Sequence, residues 1–171
     1  MKEKSLTANH PRVGEILIIG SALQAPDRFI HGLCAEVLIN SSDLVAGKVE
    51  INPELWLYCY GVCSREGSGL QNWDLIARNM LGYILLVDWN SDASFQSVTR
   101  LLDEMSGRYP VPVILAAEVT AKALPYAVLL KHTTVKLTPD TRLVFYQSDH
   151  LEHVRKVVHA LFDLLVEQSA D

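Results

Sequence analysis

A chain of 171 residues fits one domain, and such a domain buries roughly 70% of the surface its unfolded chain exposes. With 49% hydrophobic and 20% charged residues the composition is core-rich, which excludes a disordered chain. A formal net charge of -5, from 15 Lys and Arg against 20 Asp and Glu, excludes a generally basic surface that would draw the whole chain to nucleic acid or an anionic membrane.

Residues 1 to 12 are polar, lack periodicity and contain Pro11, so they read as a flexible tail ahead of a single domain over 13 to 171. "EILIIG" is a short continuous apolar run closed by Gly20, the pattern of a strand buried on both faces. In "PDRFIHGLCAEVL" the residues Phe29, Ile30, Leu33 and Val37 recur at helical spacing, and Pro26 and Asp27 suit the start of a helix. "VAGKVEI" predicts a weak edge strand, and "LWLYCYG" a stronger one that alternates Trp56, Tyr58 and Tyr60 with Leu55, Leu57 and Cys59. After the loop "GVCSREGSG", the segment "LQNWDLIARNML" spaces Leu70, Trp73, Ile76, Ala77 and Met80 as a helix does.

"GYILLVD" is a full apolar run bounded by Gly82 and Asp88, and it predicts a central buried strand. "DASFQSVTRLLDEMSGR" predicts a helix that stops at Gly107, and "VPVILAA" a further buried strand. "TAKALPYAVLL" is a helical or loop segment disturbed by Pro125, and "TRLVFYQS" is a last strand. "DHLEHVRKVVHALFDLLVEQ" predicts a long amphipathic helix whose apolar face is Leu151, Val154, Val157, Val158, Leu161, Leu164 and Leu165.

Six strands alternating with helices imply an α/β fold: a mostly parallel six-stranded sheet with helices on both faces, in three layers. Ligands in such sheets bind beyond the carboxyl ends of the strands, so the loops after Gly20, Gly61, Asp88, Ala117 and Ser148 are the places to search. "MKEKSLTANHPRVGE" lacks the apolar core of a signal segment and no run nears the roughly 18 apolar residues of a membrane span, so a cytoplasmic location is expected. Three cysteines fit that compartment; Cys59 and Cys63 in "CYGVC" have no second pair to complete a zinc site and read as buried or part-buried thiols.

The order of these pieces resembles the Ras-like small GTPases, and within them the bacterial gliding-motility branch. The resemblance spans roughly residues 13 to 168 and rests most heavily on "LWLYCYGVCSREGSGLQNWDLIARNMLGYILLVDWNSDASFQSVTRLLDEM". In that family the same region runs from a glycine-bearing switch loop through a Trp-bearing helix and an "LG" pair into an apolar strand ending in Asp. The nucleotide motifs, however, are degenerate. A phosphate loop needs G-x-x-x-x-G-K-[ST], whose glycines let N–H groups surround phosphate, whose lysine neutralises it and whose hydroxyl ligates magnesium. The corresponding run "GSALQAPD" keeps Gly20, but Ala25 replaces the second glycine, Pro26 the lysine and Asp27 the hydroxyl residue. An alanine there is expected to strain a left-handed backbone, the proline removes an N–H and the cation, and the aspartate repels phosphate.

The family's D-x-x-G region aligns with "YCYGVCSRE": Gly61 is kept, Tyr58 or a neighbour stands at the acidic position and Arg65 where a water-positioning Gln would lie. The guanine-reading N-K-x-D region aligns with "EVTA", which puts Ala121 at the acidic position, while "QSD" at 147 to 149 is too common a run to count. The resemblance therefore implies a pseudo-GTPase: no catalytic residue, no cofactor and no metal, with a surface near Gly61, Arg65 and Trp73 kept for a protein partner of the roadblock or longin-like type or a true small GTPase. Trp73 has a second assignment, as a core residue beneath its helix.

The alternative is an enzyme or small-ligand binder that uses Asp27, Asp88, Glu118 or Arg65 at the strand ends. An open polar pocket there would favour it, and Pro26 filling the crevice would oppose it. A receiver-like or flavodoxin-like domain is a weaker alternative, because the first strand lacks the clustered aspartates that receiver chemistry needs. His150 and His153, three apart, share a helix face without a local third ligand, and a solvated face accounts for them.

Overall fold

The computed structural model describes residues 11–64, 80–119 and 137–170. Among them lie seven strands and three helices: β1 (Arg12–Gly20), α1 (Gln24–Leu33), β2 (Glu36–Asn40), β3 (Leu44–Asn52), β4 (Leu55–Cys63), β5 (Gly82–Asp88), α2 (Asp92–Ser106), β6 (Val113–Glu118), β7 (Thr141–Tyr146) and α3 (Leu151–Ser169). The segments "LQNWDLIARNML" up to Asn79 and "TAKALPYAVLL" lie outside the described residues, and so do Arg65, Trp73 and Ala121.

One sheet takes all seven strands, in the order β2-β3-β4-β1-β5-β6-β7. β1 pairs in parallel with β4 and β5, and the parallel ladder continues through β6 to β7. β3 is antiparallel to both of its neighbours, so it alone runs against the others. The architecture is thus α/β with a mostly parallel sheet, as the alternating pattern predicts, with one strand more than the six expected.

The additional strand is β2. Helical spacing from Phe29 to Val37 predicts one helix through Leu38, yet α1 ends at Leu33, Cys34 takes an extended backbone, and Val37 belongs to the sheet. Two β-branched residues, Val37 and Ile39, fit a strand, and pairing with β3 from Glu36↔Lys48 to Asn40↔Val45 satisfies their backbone. β2 consequently takes the edge position expected for "VAGKVEI", which instead lies inside the sheet as β3, bonded on both sides. β4 likewise runs two residues past its expected end, to Cys63.

Side-chain alternation divides the core in two. Ile16 and Ile18 of β1, Ile84 and Leu86 of β5, and Ile114 and Ala116 of β6 pack with Phe29 and Ile30 of α1 and with Val154, Val157, Val158, Leu161 and Leu164 of α3. Leu17, Ile19, Leu85, Val87, Leu115 and Ala117, the intervening positions, pack with Phe95, Val98, Leu101, Leu102 and Met105 of α2. Strands with both residue sets buried must be apolar there, which is why β5, β6 and the Ile16–Ile19 part of β1 are continuous hydrophobic runs. Each such Ile or Leu contributes about 1.5–3 kcal/mol when fully buried.

The helix ends follow local chemistry. α2 starts where the Ser91 hydroxyl accepts from the Ser94 N–H, and it stops at Gly107 as expected. α3 has the predicted apolar face except at its ends, where Leu151 is exposed and Leu165 half-buried. Arg142 of β7 donates to both carboxylate oxygens of Glu167 at 3.0 Å, fastening the last turn of α3 to the sheet edge. No helix among the described residues is long and apolar enough to cross a membrane.

Candidate functional site

The carboxyl ends of β1, β4, β5, β6 and β7 lie along one rim of the sheet. That rim has a closed half and an open half.

The closed half is built on Gly20 and Pro26. Only three residues separate β1 from α1, so the chain reverses tightly: a Cβ at Gly20 would lie 2.7 Å from Pro26 Cδ and 3.0 Å from the Ala22 carbonyl oxygen. Pro26 sits in the first turn of α1, where its missing N–H has no helical partner to lose, and its ring is buried. The same ring reaches β4, since a Cβ at Gly61 would meet Pro26 Cβ at 2.9 Å, Ile30 Cδ1 at 2.8 Å and Val45 Cγ1 at 2.6 Å. Pro26 therefore wedges apolar material between the ends of β1 and β4.

Several polar groups of this loop are already engaged. The Ala25 N–H donates to Ala22 O, the Asp27 N–H to Leu23 O, and the loop carbonyls of Gly20 and Ser21 accept from the Ser64 N–H at 2.8 Å and the Cys63 thiol at 3.2 Å. Ala25 is a helical residue of α1, because the helix begins at Gln24; the left-handed strain expected of an alanine in place of glycine does not arise. Asp27 turns toward its own helix, its carboxylate 3.2 Å from His31 Nδ1, and does not join the other rim carboxylates. Gly61 lies within β4 instead of in a loop, and its flanks are filled by the three side chains just named, which makes it a packing position.

The open half lies beyond β5, β6 and β7. It is a polar cavity of about 500 Å³ lined by Arg28, Asp88, Asn90, Glu118, Val119, Gln147, Ser148 and Asp149. Glu118, the last residue of β6, is its organiser. Ser148 Oγ donates to Glu118 Oε1 across a short contact, and Arg28 Nη2 reaches Oε2 at 3.4 Å from the second turn of α1. Asp88, the last residue of β5, accepts from the Asn90 N–H at 2.9 Å through Oδ1, while its own N–H donates to Ser94 Oγ. The backbone joins the strand ends directly, with Trp89 N–H on Glu118 O and Val119 N–H on Tyr146 O.

Tyr146, the last residue of β7, is buried. It packs edge-on against Phe29 at a ring separation of 5.7 Å, and burial, then the Glu118 charge, pushes its hydroxyl well above the usual tyrosine range, with Arg28 acting the other way. Asp88 and Glu118 are thus brought together as the strand-end rule expects, Asn90 and the Gln147–Asp149 run join them from strand-end loops that the same rule marks, and Arg28 joins from α1. For Gln147, Ser148 and Asp149 the available signal is position alone, immediately after a strand; Arg28 arrives from a helix and carries no such signal.

No protein-family model and no curated protein matches this chain. Its chemistry must be read from these residues.

Three other sequence candidates resolve locally. His150 and His153 do share a face, with ring centroids 5.2 Å apart, and among the described residues no group of three His, Cys, Asp or Glu converges as a metal site would. Cys59 is buried and Cys63 half-buried, both as free thiols. Trp56, Tyr58 and Tyr60 are half-buried along β4, with Lys48 Nζ 4.7 Å over the Trp56 ring and the Tyr60 hydroxyl donating to Glu15. Burial, then that bond to Glu15, pushes Tyr60 up to about 12.

Proposed function

We propose that this chain is a non-catalytic, small-GTPase-like domain of three layers that serves as a protein-binding or regulatory module and does not hold GTP through a phosphate loop. The wedge of Pro26 between Gly20 and Gly61 carries this proposal. A triphosphate needs several N–H donors and a cation at the end of the first strand. Here residue 26 has no N–H, those of residues 25 and 27 are spent on turn and helix bonds, and the volume is taken by a proline ring. The resemblance supplies the partner class: a roadblock or longin-like protein, or a working small GTPase.

The test is calorimetry with GTP and magnesium on two proteins. The wild-type chain is expected to give no binding heat. The variant Ala25→Gly/Pro26→Lys/Asp27→Ser, which completes G-x-x-x-x-G-K-S from Gly20, is expected to gain magnesium-dependent binding if the scaffold is of this type. Micromolar magnesium-dependent binding by the wild type would refute the proposal.

A second function is favoured by the open half of the rim. A cavity of about 500 Å³ edged by Asp88, Glu118 and Arg28 has the size of a small-molecule site, and a polar ligand with hydrogen-bond donors would complement its carboxylates. A thermal-shift screen of small polar compounds separates the two: a stabilising compound whose effect disappears in Asp88→Asn supports ligand binding in the crevice.

A further inference from the structure

Gly47 of β3 stands directly opposite Cys59 of β4 in the antiparallel ladder. Residues paired in this way direct their side chains to one face, with Cβ atoms about 4.5–5.5 Å apart. Gly47 has no side chain, and the vacated volume is filled by Cys34: a Cβ at position 47 would lie 2.7 Å from Cys34 Sγ and 2.8 Å from Cys34 Cβ. The extended backbone that ends α1 lowers Cys34 into this gap, beside Cys59, in the core that α1 and α3 share with the sheet. Cys59 is fully buried and Cys34 is 8% exposed. The neighbouring Cys59 thiol draws Cys34 below the usual thiol range, and Cys34, then burial, pushes Cys59 up.

We infer that Cys34 and Cys59 are a peroxide-sensitive thiol pair that closes into an intramolecular disulfide, tying the end of α1 to β4. Cys34, the less buried of the two, reacts first. Its sulfur attacks hydrogen peroxide, the O–O bond breaks, and a sulfenic acid and one water result. The Cys59 sulfur then attacks the sulfenic sulfur; the S–S bond forms, the S–O bond breaks, and the departing hydroxide leaves with the Cys59 proton as a second water. Two thiols and one peroxide thus give one disulfide and two waters. A disulfide needs Cβ atoms within roughly 3.5–4.5 Å, and the missing side chain at Gly47 is what permits such an approach. Cys63 serves as an internal comparison, because its thiol is bonded to the Ser21 carbonyl at the end of β4.

The experiment treats the reduced, folded chain with hydrogen peroxide, traps remaining thiols with N-ethylmaleimide in denaturant, and maps the digest by mass spectrometry without reductant. The expected dominant product is a peptide pair joined through Cys34 and Cys59, with Cys63 labelled, unchanged far-ultraviolet circular dichroism before quenching, and full reversal by dithiothreitol. Cys63→Ser is expected to form the same linkage. Recovery of Cys34 and Cys59 both labelled, a bridge that includes Cys63, or sulfinic acid at Cys34 in place of the bridge would overturn the inference. Serine at either core position risks unfolding the chain, so the wild type and Cys63→Ser carry the decision.

Discussion

The two halves of the rim are made of the same elements, a strand end, a short turn and a helix, yet one is packed shut with carbon and the other stands open and charged. At the β1–β4 end a three-residue turn brings Pro26 onto Gly20 and Gly61, and both glycines are needed because any side chain there would overlap the ring. At the β5–β7 end the strands finish in Asp88 and Glu118 and the Gln147–Asp149 run follows β7; Ser148 bonds to Glu118, and Asp88 accepts from the Asn90 N–H, beside a cavity of about 500 Å³. Dense apolar contact fixes the first half. The second is edged by polar contacts that water could replace, the Arg28–Glu118 ion pair and the Ser148–Glu118 bond, so a ligand could enter it without breaking the core.

Substitutions on each side sharpen this contrast. The largest effect is expected from Phe29→Ala in the core below the rim: Phe29 is fully buried against Tyr146, and its loss should destabilise the fold by about 3–5 kcal/mol in urea unfolding. Next is Gly61→Ala, where the added methyl meets Val45, Ile30 and Pro26 inside 3.0 Å; overpacking of stiff neighbours should cost about 1–3 kcal/mol, read as a lower urea midpoint with an unchanged slope. The smallest belongs to the open half. In Glu118→Gln the Ser148 bond keeps an acceptor while the contact with Arg28, more than half exposed, loses its charge, so stability should move by about 1 kcal/mol or less and the difference should shrink at high salt. A loss in Glu118→Gln as large as that in Phe29→Ala would mean that the open half is also packed core, and the contrast would fail.

Much of the sheet was legible because its central strands are buried on both faces. β1, β5 and β6 announce themselves as unbroken apolar runs, and the stop signals at Gly20, Asp88 and Gly107 lie where the elements end. The stretch from Phe29 to Asn40 misleads for a physical reason: Phe29, Ile30, Leu33 and Val37 satisfy a helical period, and nothing local reveals that β3 offers Glu36 to Asn40 a ladder. Tertiary pairing overrides a helical pattern there. At the rim, Asp88, Glu118 and the place of Ser148 follow from the rule that sites form at strand ends, but the bond from Ser148 to Glu118 has no signal in the run itself, and Arg28 reaches the crevice from α1, which starts at Gln24. That Pro26 has no N–H was legible in the sequence; that its ring packs against both Gly20 and Gly61 follows only from the fold.

The reversed direction of β3 carries a kinetic consequence. β2, β3 and β4 follow one another along the chain, with connections of three residues and then two, so their pairing closes short loops at little entropic expense. Every parallel pair in the rest of the sheet joins segments far apart in sequence, and must wait for a slower search. The meander from Glu36 to Cys63 can therefore assemble early as a template, with β1 added to its β4 edge, and the remaining strands recruited outward from there.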